Sequence, residues 1–550
     1  MWQQNYTPLG GSLPLSALAA AAPIFVMLLL LGVMRKPAWV AALSGLGAAG
    51  LVAQVVYRMP TKTMLASAGF GAAFGLFPIS WILFWAIMLH RLTVECGNFE
   101  VLKDSIGGLT ADRRLQALVI AFVFGALLEG AAGFGAPVAV AAAMLAGLGF
   151  PRFYAAAICL LANTAPVAFG SIGIPVITLA GVTGLPVRGL SAWVGRICAP
   201  VSLLIPAYLV FVMGGFPALK GVLPAVILCG SAFASTQWLV SNLLGPQLTD
   251  ILSSLAAMAS LAVLLKVWRP RDDYVWAGVS VPVDGSPTAT GESSVPTISR
   301  TRSKMLVAWL PYLLLVFFVF LWGLAAVRSP LDKMTVKFPW PGLDNMVQRV
   351  PPVVRRPSSY GAVFALNWMS ASGTACMLAV VVAALVLKVT LLQFAKMLCA
   401  ALHQMALSIL TIAAVLALAF LMNYCGATAT LGLAFAATGR LFPFFSALLG
   451  WLGVFLVGSD TSANALFGNL QVVTASRLGL DPTLMAASNS SGGVMGKMIS
   501  LSSIAVAAAA TGLPRSDEAK LFRFTLKHSV ILAVLIGLVV ALYAWLIPQS

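Results

Sequence analysis

The most regular feature of the sequence is a series of long apolar runs without a charged residue. An α-helix needs roughly 20 apolar residues to cross the hydrocarbon core of a bilayer. Each run can therefore hold one transmembrane helix, and the longest can hold two. Together with the interrupted runs described below, the pattern predicts an all-α polytopic membrane protein with about 12–14 transmembrane helices. The uncharged runs are residues 14–34, 38–57, 63–89, 197–219, 221–249, 305–327, 357–387, 397–439 and 529–550.

Composition and charge support the membrane interpretation. Of the 550 residues, 60% are hydrophobic and 9% are charged, whereas soluble proteins are about 25% charged. The net charge of +17 comes from basic residues scattered between the apolar runs, such as Arg35 and Lys36. This distribution is typical of cytoplasmic loops and argues against nucleic-acid binding. The seven cysteines show neither a disulfide framework nor metal-ligand spacing, so we expect no metal and no cofactor.

Two polar segments divide the chain. Residues 267–304 are rich in Ser, Thr and Pro and are flanked by basic residues, which predicts a poorly ordered cytoplasmic loop. Residues 328–357 contain a Pro-Pro-Val-Val-Arg-Arg-Pro run that cannot be helical throughout. The predicted organisation is N-terminal transmembrane helices at 1–62, a first repeat at 63–215, linking helices with both polar loops at 216–391, and a second repeat at 392–550.

Four short matches, in the same order, indicate that the two halves are repeats. Cys-Gly at 96–97 recurs at 425–426, and Leu-Gly at 148–149 recurs at 478–479. Asn163 corresponds to Asn489, and Thr-Gly-Leu-Pro at 183–186 recurs at 511–514. Repeated halves are common in secondary transporters, with the substrate site at the repeat interface near the middle of the membrane. Whether the repeats are inverted depends on a span count that the sequence leaves open.

Each predicted repeat is interrupted at two polar, glycine-rich places: residues 127–145 and 163–175, and residues 458–469 and 489–500. Non-helical backbone at membrane depth occurs only inside protein or beside a water-filled cavity. We therefore predict re-entrant hairpins and broken helices whose N-termini attract a carboxylate. The alternative is close helix packing through small residues. The predicted hairpin or break glycines are Gly130, Gly133, Gly135, Gly170, Gly492, Gly493 and Gly496.

The same interruptions carry side chains able to hydrogen-bond a small hydroxy acid, or equally to coordinate sodium. We predict that these residues, together with a buried lysine, bind the substrate. The predicted substrate-binding residues are Asn163, Thr164, Ser459, Thr461, Ser462, Asn464, Asn489, Ser490 and Lys497.

Three charges stand inside the apolar runs. Glu129 and Asp460 lie 331 positions apart, at nearly equivalent points of the predicted repeats, and Lys497 lies between the uncharged runs 482–496 and 498–514. An intramembrane charge is costly, so it is expected to face the protein interior and to have a function. We predict proton coupling by the two carboxylates, which can exchange protons when removed from water. A purely structural intramembrane ion pair is the alternative. His90, His528 and Arg196 are better explained as interfacial residues.

At this point the residues resemble a known family, the bacterial L-lactate permeases, whose members also carry glycolate. The resemblance extends nearly end to end, from Trp2 to Thr525. It implies proton-coupled uptake of L-lactate, D-lactate and glycolate across the bacterial inner membrane, driven by the proton gradient without a cofactor. One departure is Leu501-Ser502-Ser503, where relatives often have a proline. The most specific blocks are LEGAAGFGAPVA, NTAPVAFG, GWLGVFLVGSDTSANALF and GGVMGKMIS.

Other functions stay open at this stage. A sodium-coupled carrier of carboxylates or other anions fits the same residues. A membrane-embedded enzyme would need a catalytic constellation, such as a metal-binding cluster, and the sequence offers none. A passive channel fits the duplicated interruptions less well than a carrier that works by alternating access. The expected partners are the lipid bilayer, protons and the small-molecule substrate, and a homodimer is an untested expectation.

Overall fold

The computed structural model describes residues 1–133, 135–270 and 302–546. Within these residues, 12 helices are long and apolar enough to cross a membrane. The count is 13 if a pair bent by 62°, Arg152–Ala162 with Val167–Thr183, forms one span. The predicted helical membrane class and span number are therefore confirmed. Most of the predicted cytoplasmic loop at 267–304 lies outside the described residues.

The chain begins with two transmembrane helices, α1 (Leu13–Leu28) and α2 (Ala38–Leu51), each continued by a π-helical turn. Unit one follows and comprises helices α3 to α11. π-Helical segments connect α3 to α4 and α6 to α7. The helices of unit one are α3 (Thr61–Phe74), α4 (Trp81–Glu95), α5 (Asn98–Gly107), α6 (Arg113–Gln116), α7 (Gly125–Ala131), α8 (Ala136–Gly147), α9 (Arg152–Ala162), α10 (Gly170–Thr183) and α11 (Val187–Gly221).

The linking region contains both helices and short strands. Its helices are α12 (Leu223–Leu243), α13 (Thr249–Val267), α14 (Arg302–Gly323), α15 (Ala325–Asp332) and α16 (Ser372–Val386). The N-terminal strand β1 pairs in parallel with β3, β3 pairs antiparallel with β4, and β2 pairs antiparallel with β5. Most of the second predicted loop, 328–357, is thus part of a small folded cap. The strands are β1 (Trp2–Gln3), β2 (Val336–Pro339), β3 (Val347–Arg349), β4 (Ser358–Tyr360) and β5 (Val363–Leu366).

Unit two comprises helices α17 to α23. Its first helix is capped by Thr390, whose side chain accepts a hydrogen bond from the Gln393 backbone nitrogen. The helices are α17 (Leu391–Cys425), α18 (Ala427–Phe435), α19 (Phe442–Val457), α20 (Asp460–Leu478), α21 (Pro482–Lys497), α22 (Leu501–Thr511) and α23 (Arg515–Leu546).

The helices of the two units follow the same order. Both units open with a 35-residue span, Thr61–Glu95 and Leu391–Cys425. Left-handed glycines end or separate equivalent helices, in the pairs Gly97 and Gly426, Gly149 and Gly479, and Gly184 and Gly512. Glycine is favoured there because it adopts a positive φ without strain. The short sequence matches therefore mark helix ends, and descent of both units from one repeat stays a prediction.

The opening spans of the two units run in opposite directions. A Cβ added at Gly71 would lie 2.4 Å from the Leu416 carbonyl oxygen, and one added at Gly75 would lie 2.9 Å from the Cα of Ala413. Further along, the guanidinium group of Arg91 donates to the Gln404 side chain at 3.1 Å. Increasing residue numbers in α3 and α4 thus meet decreasing numbers in α17, which is the arrangement that inverted repeats require.

The units also interlock at the centre of the molecule. Helix α8 of unit one packs on α22 of unit two, and α20 of unit two packs on α10 of unit one. Helices α11 and α23 likewise pack on α21 and α9 of the other unit. The short helices of both units consequently end close to one another, and this meeting point contains the candidate site.

Candidate functional site

Four helix N-termini meet at one cavity of about 330 Å³, here called the central cavity. Gly135 precedes α8, Pro175 lies where the right-handed part of α10 begins, Ser459 precedes α20, and Ser502 lies at the start of α22. All four residues line the cavity. The unpaired backbone N–H groups at a helix N-terminus carry partial positive charge and attract anions. The geometry is therefore that of an anion site.

In unit one, the interruptions depend on unusual backbone conformations. Gly133 and Gly135 have positive φ between α7 and α8. Ser171, Ile172 and Gly173 form a left-handed run at the start of α10. Side chains in this conformation are strained, and such strain concentrates at functional sites. The Ser171 hydroxyl donates to the Ala132 carbonyl at 2.9 Å and so connects the two interruptions.

In unit two, ordinary caps produce the equivalent interruptions. Gly458, with φ of 77°, ends α19. The Ser459 side chain then accepts from the Ser462 backbone nitrogen at 3.3 Å and caps α20. Ser500 caps α22 in the same way, by accepting from the backbone nitrogen of Ser503.

Asp460 is held by a buried network of hydrogen bonds. Its Oδ2 accepts from the Ser490 hydroxyl at 2.6 Å and from Nδ2 of Asn464 at 3.2 Å. The amide of Asn489 donates to Oδ1 of Asn464 at 2.9 Å, and Gln471 donates to Oδ1 of Asn489 at 3.1 Å. These contacts connect α20 to α21 and hold the carboxylate at the edge of the central cavity.

Lys497 supplies the positive charge of the central cavity. It is the last residue of α21, and its Nζ donates to the Gly458 carbonyl at 2.7 Å. The ammonium group thus lies at the C-terminal ends of both α19 and α21, where a cation offsets the negative end of the helix dipole. Glu129 and Asp460 interact electrostatically with it, although no direct ion pair joins Lys497 to either within the described residues.

Glu129 of unit one also lines the central cavity. The residue is 5% exposed, and its Oε1 would lie 2.7 Å from a Cβ added at Gly170. The Asn163 side chain is buried near this carboxylate, but neither its amide nitrogen nor its amide oxygen makes a hydrogen bond within the described residues. Oε2 of Glu129 likewise has no hydrogen-bond partner there. Gly170 therefore makes room for Glu129 at the break before α10.

The structure brings most of the predicted site residues to one place. Asn464, Asn489 and Ser490 lie behind Asp460 in its hydrogen-bond network. Thr164 instead donates to the Leu161 carbonyl at 2.7 Å and is absent from the cavity lining. The predicted residues that line the central cavity are Glu129, Gly135, Gly170, Ser459, Asp460, Thr461, Ser462 and Lys497.

The assignment of Gly492, Gly493 and Gly496 as break glycines is wrong. All three lie inside α21, and the break comes after Lys497. A Cβ added at Gly492 would lie 2.0 Å from the Ala447 carbonyl oxygen, which shows that these glycines let α21 pack closely on α19. Gly130 is also helical, within α7, and packs on α13. Helix packing by small residues, the alternative interpretation, holds at these four positions.

Sequence reasoning missed Ser171, Ser502 and Ser503 in the cavity lining and overlooked Asp250 behind it. Asp250 lies in the first turn of α13, close to the end of a span, where charged residues are usually interfacial. The available signal was its position between the uncharged runs 221–249 and 251–265. Arg196 lies away from the site, where it donates to the Asn242 side chain at 2.9 Å.

Comparison with known proteins identifies the family. Residues 16–547 match the sequence profile of the L-lactate permease family. The chain belongs to this family. The family resemblance of the sequence blocks is thereby confirmed, and the chain is a transporter rather than an enzyme. It is a multi-pass protein of the bacterial inner membrane.

Curated members of the L-lactate permease family are similar over their full length. The L-lactate permease of Bacillus subtilis is 44% identical, with 100% of both chains covered. The glycolate permease GlcA of Escherichia coli is 43% identical over 99% of this chain and 98% of the relative. The L-lactate permease of Escherichia coli is 42% identical, again with both chains fully covered.

Two solved transporter structures show a weaker likeness to this L-lactate permease family member. The YdaH transporter of Alcanivorax borkumensis is 14% identical, with a TM-score of 0.43 over 89% of this chain and 88% of that one. MtrF of Neisseria gonorrhoeae is also 14% identical, with a TM-score of 0.45 over 89% and 84%. These values do not establish a common fold.

Proposed function

We propose that this transporter carries L-lactate and related 2-hydroxy monocarboxylates, including D-lactate and glycolate, into the cell together with protons. The convergence of four helix N-termini around the Lys497 ammonium carries the proposal, because it is an arrangement that attracts a small carboxylate. The relatives named as L-lactate and glycolate permeases support the choice of a 2-hydroxy acid.

The substrate carboxylate is proposed to bind between the Lys497 ammonium and the N-terminus of α20. There the backbone N–H groups after Ser459 and the ammonium group lie on the same side of the cavity. The hydroxyl groups of Thr461 and Ser462 are available for the 2-hydroxyl group of the substrate. The positive charge of Lys497 also offsets the negative charges of Glu129 and Asp460. A bound substrate anion would offset part of this positive charge and so change how readily the two carboxyl groups bind protons.

The two units are proposed to be inverted repeats that alternate access to this cavity. Their opening spans are antiparallel, and their short helices meet around one cavity. Inverted-repeat transporters commonly bind substrate where the repeats meet and move one part against the other.

Transport by purified protein in liposomes tests the proposal. Labelled L-lactate should accumulate against its gradient when the outside is acidified, and a protonophore should abolish the accumulation. Unlabelled glycolate should compete with the labelled substrate. Accumulation that follows an imposed sodium gradient and ignores the proton gradient would reject proton coupling.

A sodium-coupled carboxylate carrier is the second candidate, and one observation favours it. Asp460 Oδ1 has no hydrogen-bond partner among the described residues, and the hydroxyl oxygen of Ser490 lies 2.6 Å from the other oxygen of the same carboxylate. Oxygen-rich surroundings of this kind also suit a hard cation. The sodium arm of the liposome experiment separates the two candidates.

A further inference from the structure

Asp250 is a third buried carboxylate, and it does not belong to the proposed substrate site. The residue is 1% exposed and lies in the first turn of α13. Neither of its carboxylate oxygens accepts a hydrogen bond from the described part of the chain. An unpaired carboxylate inside a protein is costly, so a buried carboxyl group in this state needs a physical explanation.

The backbone places Asp250 against Gly130, the residue that follows Glu129. A Cβ added at Gly130 would lie 2.8 Å from the Cβ of Asp250, so α7 and α13 touch at this point. Glu129 is within electrostatic range of Asp250, and its Oε2 likewise lacks a hydrogen-bond partner among the described residues. Two neighbouring buried carboxyl groups are not both ionised unless a cation joins them.

The elements packed on α13 bring no positive charge to Asp250, and the cation that interacts with Glu129 is Lys497 of α21. Those with the most extensive contacts are α7, α10, α12 and the π-helical segment Ala117–Phe124. Across these four, Glu129 is the one charged side chain. The other titratable groups are thiols: Cys198 on α11, within electrostatic range of Asp250, and Cys229 on α12. The N-terminus of α13 stabilises an ionised Asp250, which makes release of a proton feasible.

Glu129 and a residue close to Asp250 line two different cavities. Glu129 lines the central cavity, whereas Leu248, two residues before Asp250, lines a second cavity of about 210 Å³. We call the second one the outer cavity, because α13 runs from it toward the polar segment predicted to be cytoplasmic. Arg188 and Arg328 line the outer cavity as well. Asp250 therefore lies on the side of Glu129 from which a proton would enter.

We propose that Asp250 and Glu129 form a proton site that connects the outer cavity to the central cavity. A proton from the outer cavity binds the Asp250 carboxylate and then passes to the Glu129 carboxylate, which leaves Asp250 ionised and ready to be reloaded. Glu129 releases the proton into the central cavity. This inference rests on the proposed proton coupling, and it assigns the entry step to Asp250.

The test is Asp250→Asn in proteoliposomes, measured in two ways. An imposed gradient of about one pH unit can drive about tenfold lactate accumulation by one-to-one symport. We expect the variant to lose this accumulation. Exchange of labelled for unlabelled lactate at equal concentrations needs no net proton movement, and we expect it to persist. Asp104→Asn, which removes an exposed carboxylate on α5, is the matched control and should behave as the unmodified protein.

Each outcome decides the inference. Full accumulation by Asp250→Asn would overturn it, and so would equal loss of accumulation and exchange in a variant that remains folded. If the unmodified protein itself shows no proton-driven accumulation, the proposed function fails, and that result differs from failure of the Asp250 step alone.

Infrared spectroscopy keeps the inference testable if Asp250→Asn folds poorly. The carbonyl band of a protonated carboxylic acid should disappear as the pH of the purified protein is raised. Asp250→Glu, which keeps a carboxyl group, should retain a titrating band and some proton-driven accumulation. A spectrum of the unmodified protein with no titrating buried carboxylic acid would contradict the proposal.

Discussion

Glu129 and Asp460 both lie next to a helix break, but on different sides of it and in different surroundings. Glu129 belongs to α7, before the break at Gly133 and Gly135, whereas Asp460 begins α20, after the break at Gly458. Asp460 accepts hydrogen bonds from Ser490 and Asn464 and is held within one unit. Glu129 has one carboxylate oxygen without a hydrogen-bond partner among the described residues. It lies within electrostatic range of Asp250, which contacts the neighbouring Gly130. The structure thus has a pre-organised polar network around Asp460 in unit two, and two buried carboxyl groups with few hydrogen bonds where α7 of unit one meets α13 of the linking region. We infer substrate binding from the first and proton exchange from the second.

The largest expected effect comes from removing the charge on the unit two side. Lys497→Ala should abolish lactate uptake, because removing the buried cation that binds an anionic partner typically weakens binding by about 2–5 kcal/mol. Such a cost corresponds to a loss of roughly 30-fold or more in affinity. Membrane abundance should stay normal. The control is Lys520→Ala, whose side chain is 74% exposed, and normal transport by Lys497→Ala would remove Lys497 from the site.

Asp460→Asn should have the next largest effect. The substitution keeps the shape of the side chain but removes its charge and its capacity to exchange a proton. We expect proton-driven lactate uptake to be lost while the protein remains at normal abundance in the membrane. Uptake assays alongside Asp104→Asn would show whether the loss is specific, and unchanged uptake would leave Asp460 with a structural role only.

Ser490→Ala should weaken transport less than either charge substitution. It removes the 2.6 Å hydrogen bond to Asp460 but leaves the Asn464 contact in place. Hydrogen bonds to charged groups contribute about 1.5–3 kcal/mol. We expect lactate affinity to fall roughly tenfold. A KM equal to that of the unmodified transporter would argue that the network does not organise the substrate pocket.

The smallest expected effect on transport comes from the helix contact behind the network. Gly492→Ala would place a methyl group against the Ala447 carbonyl and force α21 away from α19. Overpacking typically lowers the free energy of unfolding by about 1–3 kcal/mol, so the Tm of the variant should fall. Gly47→Ala is the control, because nothing lies within 4 Å of a Cβ added there. Equal Tm values for both variants would contradict tight α19–α21 packing.

The spans and the three central charges could be predicted because each leaves a local signal. Uncharged runs mark the helices, and Glu129, Asp460 and Lys497 are isolated charges inside such runs. The glycines of α21 were misassigned because a break and a close helix contact use the same small residues. Asp250 was overlooked because a charge near a span end is usually interfacial. Only tertiary contact with Gly130 shows that it is buried.

The direction of the two units could not be predicted for a different reason. Opposite orientation depends on the number of spans between them, and interrupted helices make that number ambiguous in the sequence. The contacts of Gly71 with Leu416 and of Arg91 with Gln404 determine it in the structure. The small strands of the cap were also missed, since β1 and β3 lie more than 340 residues apart in the chain.

A structure of the transporter with bound L-lactate tests the central claim most directly, because that claim assigns the substrate to the unit two side of the central cavity. The account predicts the lactate carboxylate within hydrogen-bond distance of Lys497 Nζ, at the N-terminus of α20. A carboxylate bound beside Glu129 and away from Lys497, or outside the central cavity, would contradict it.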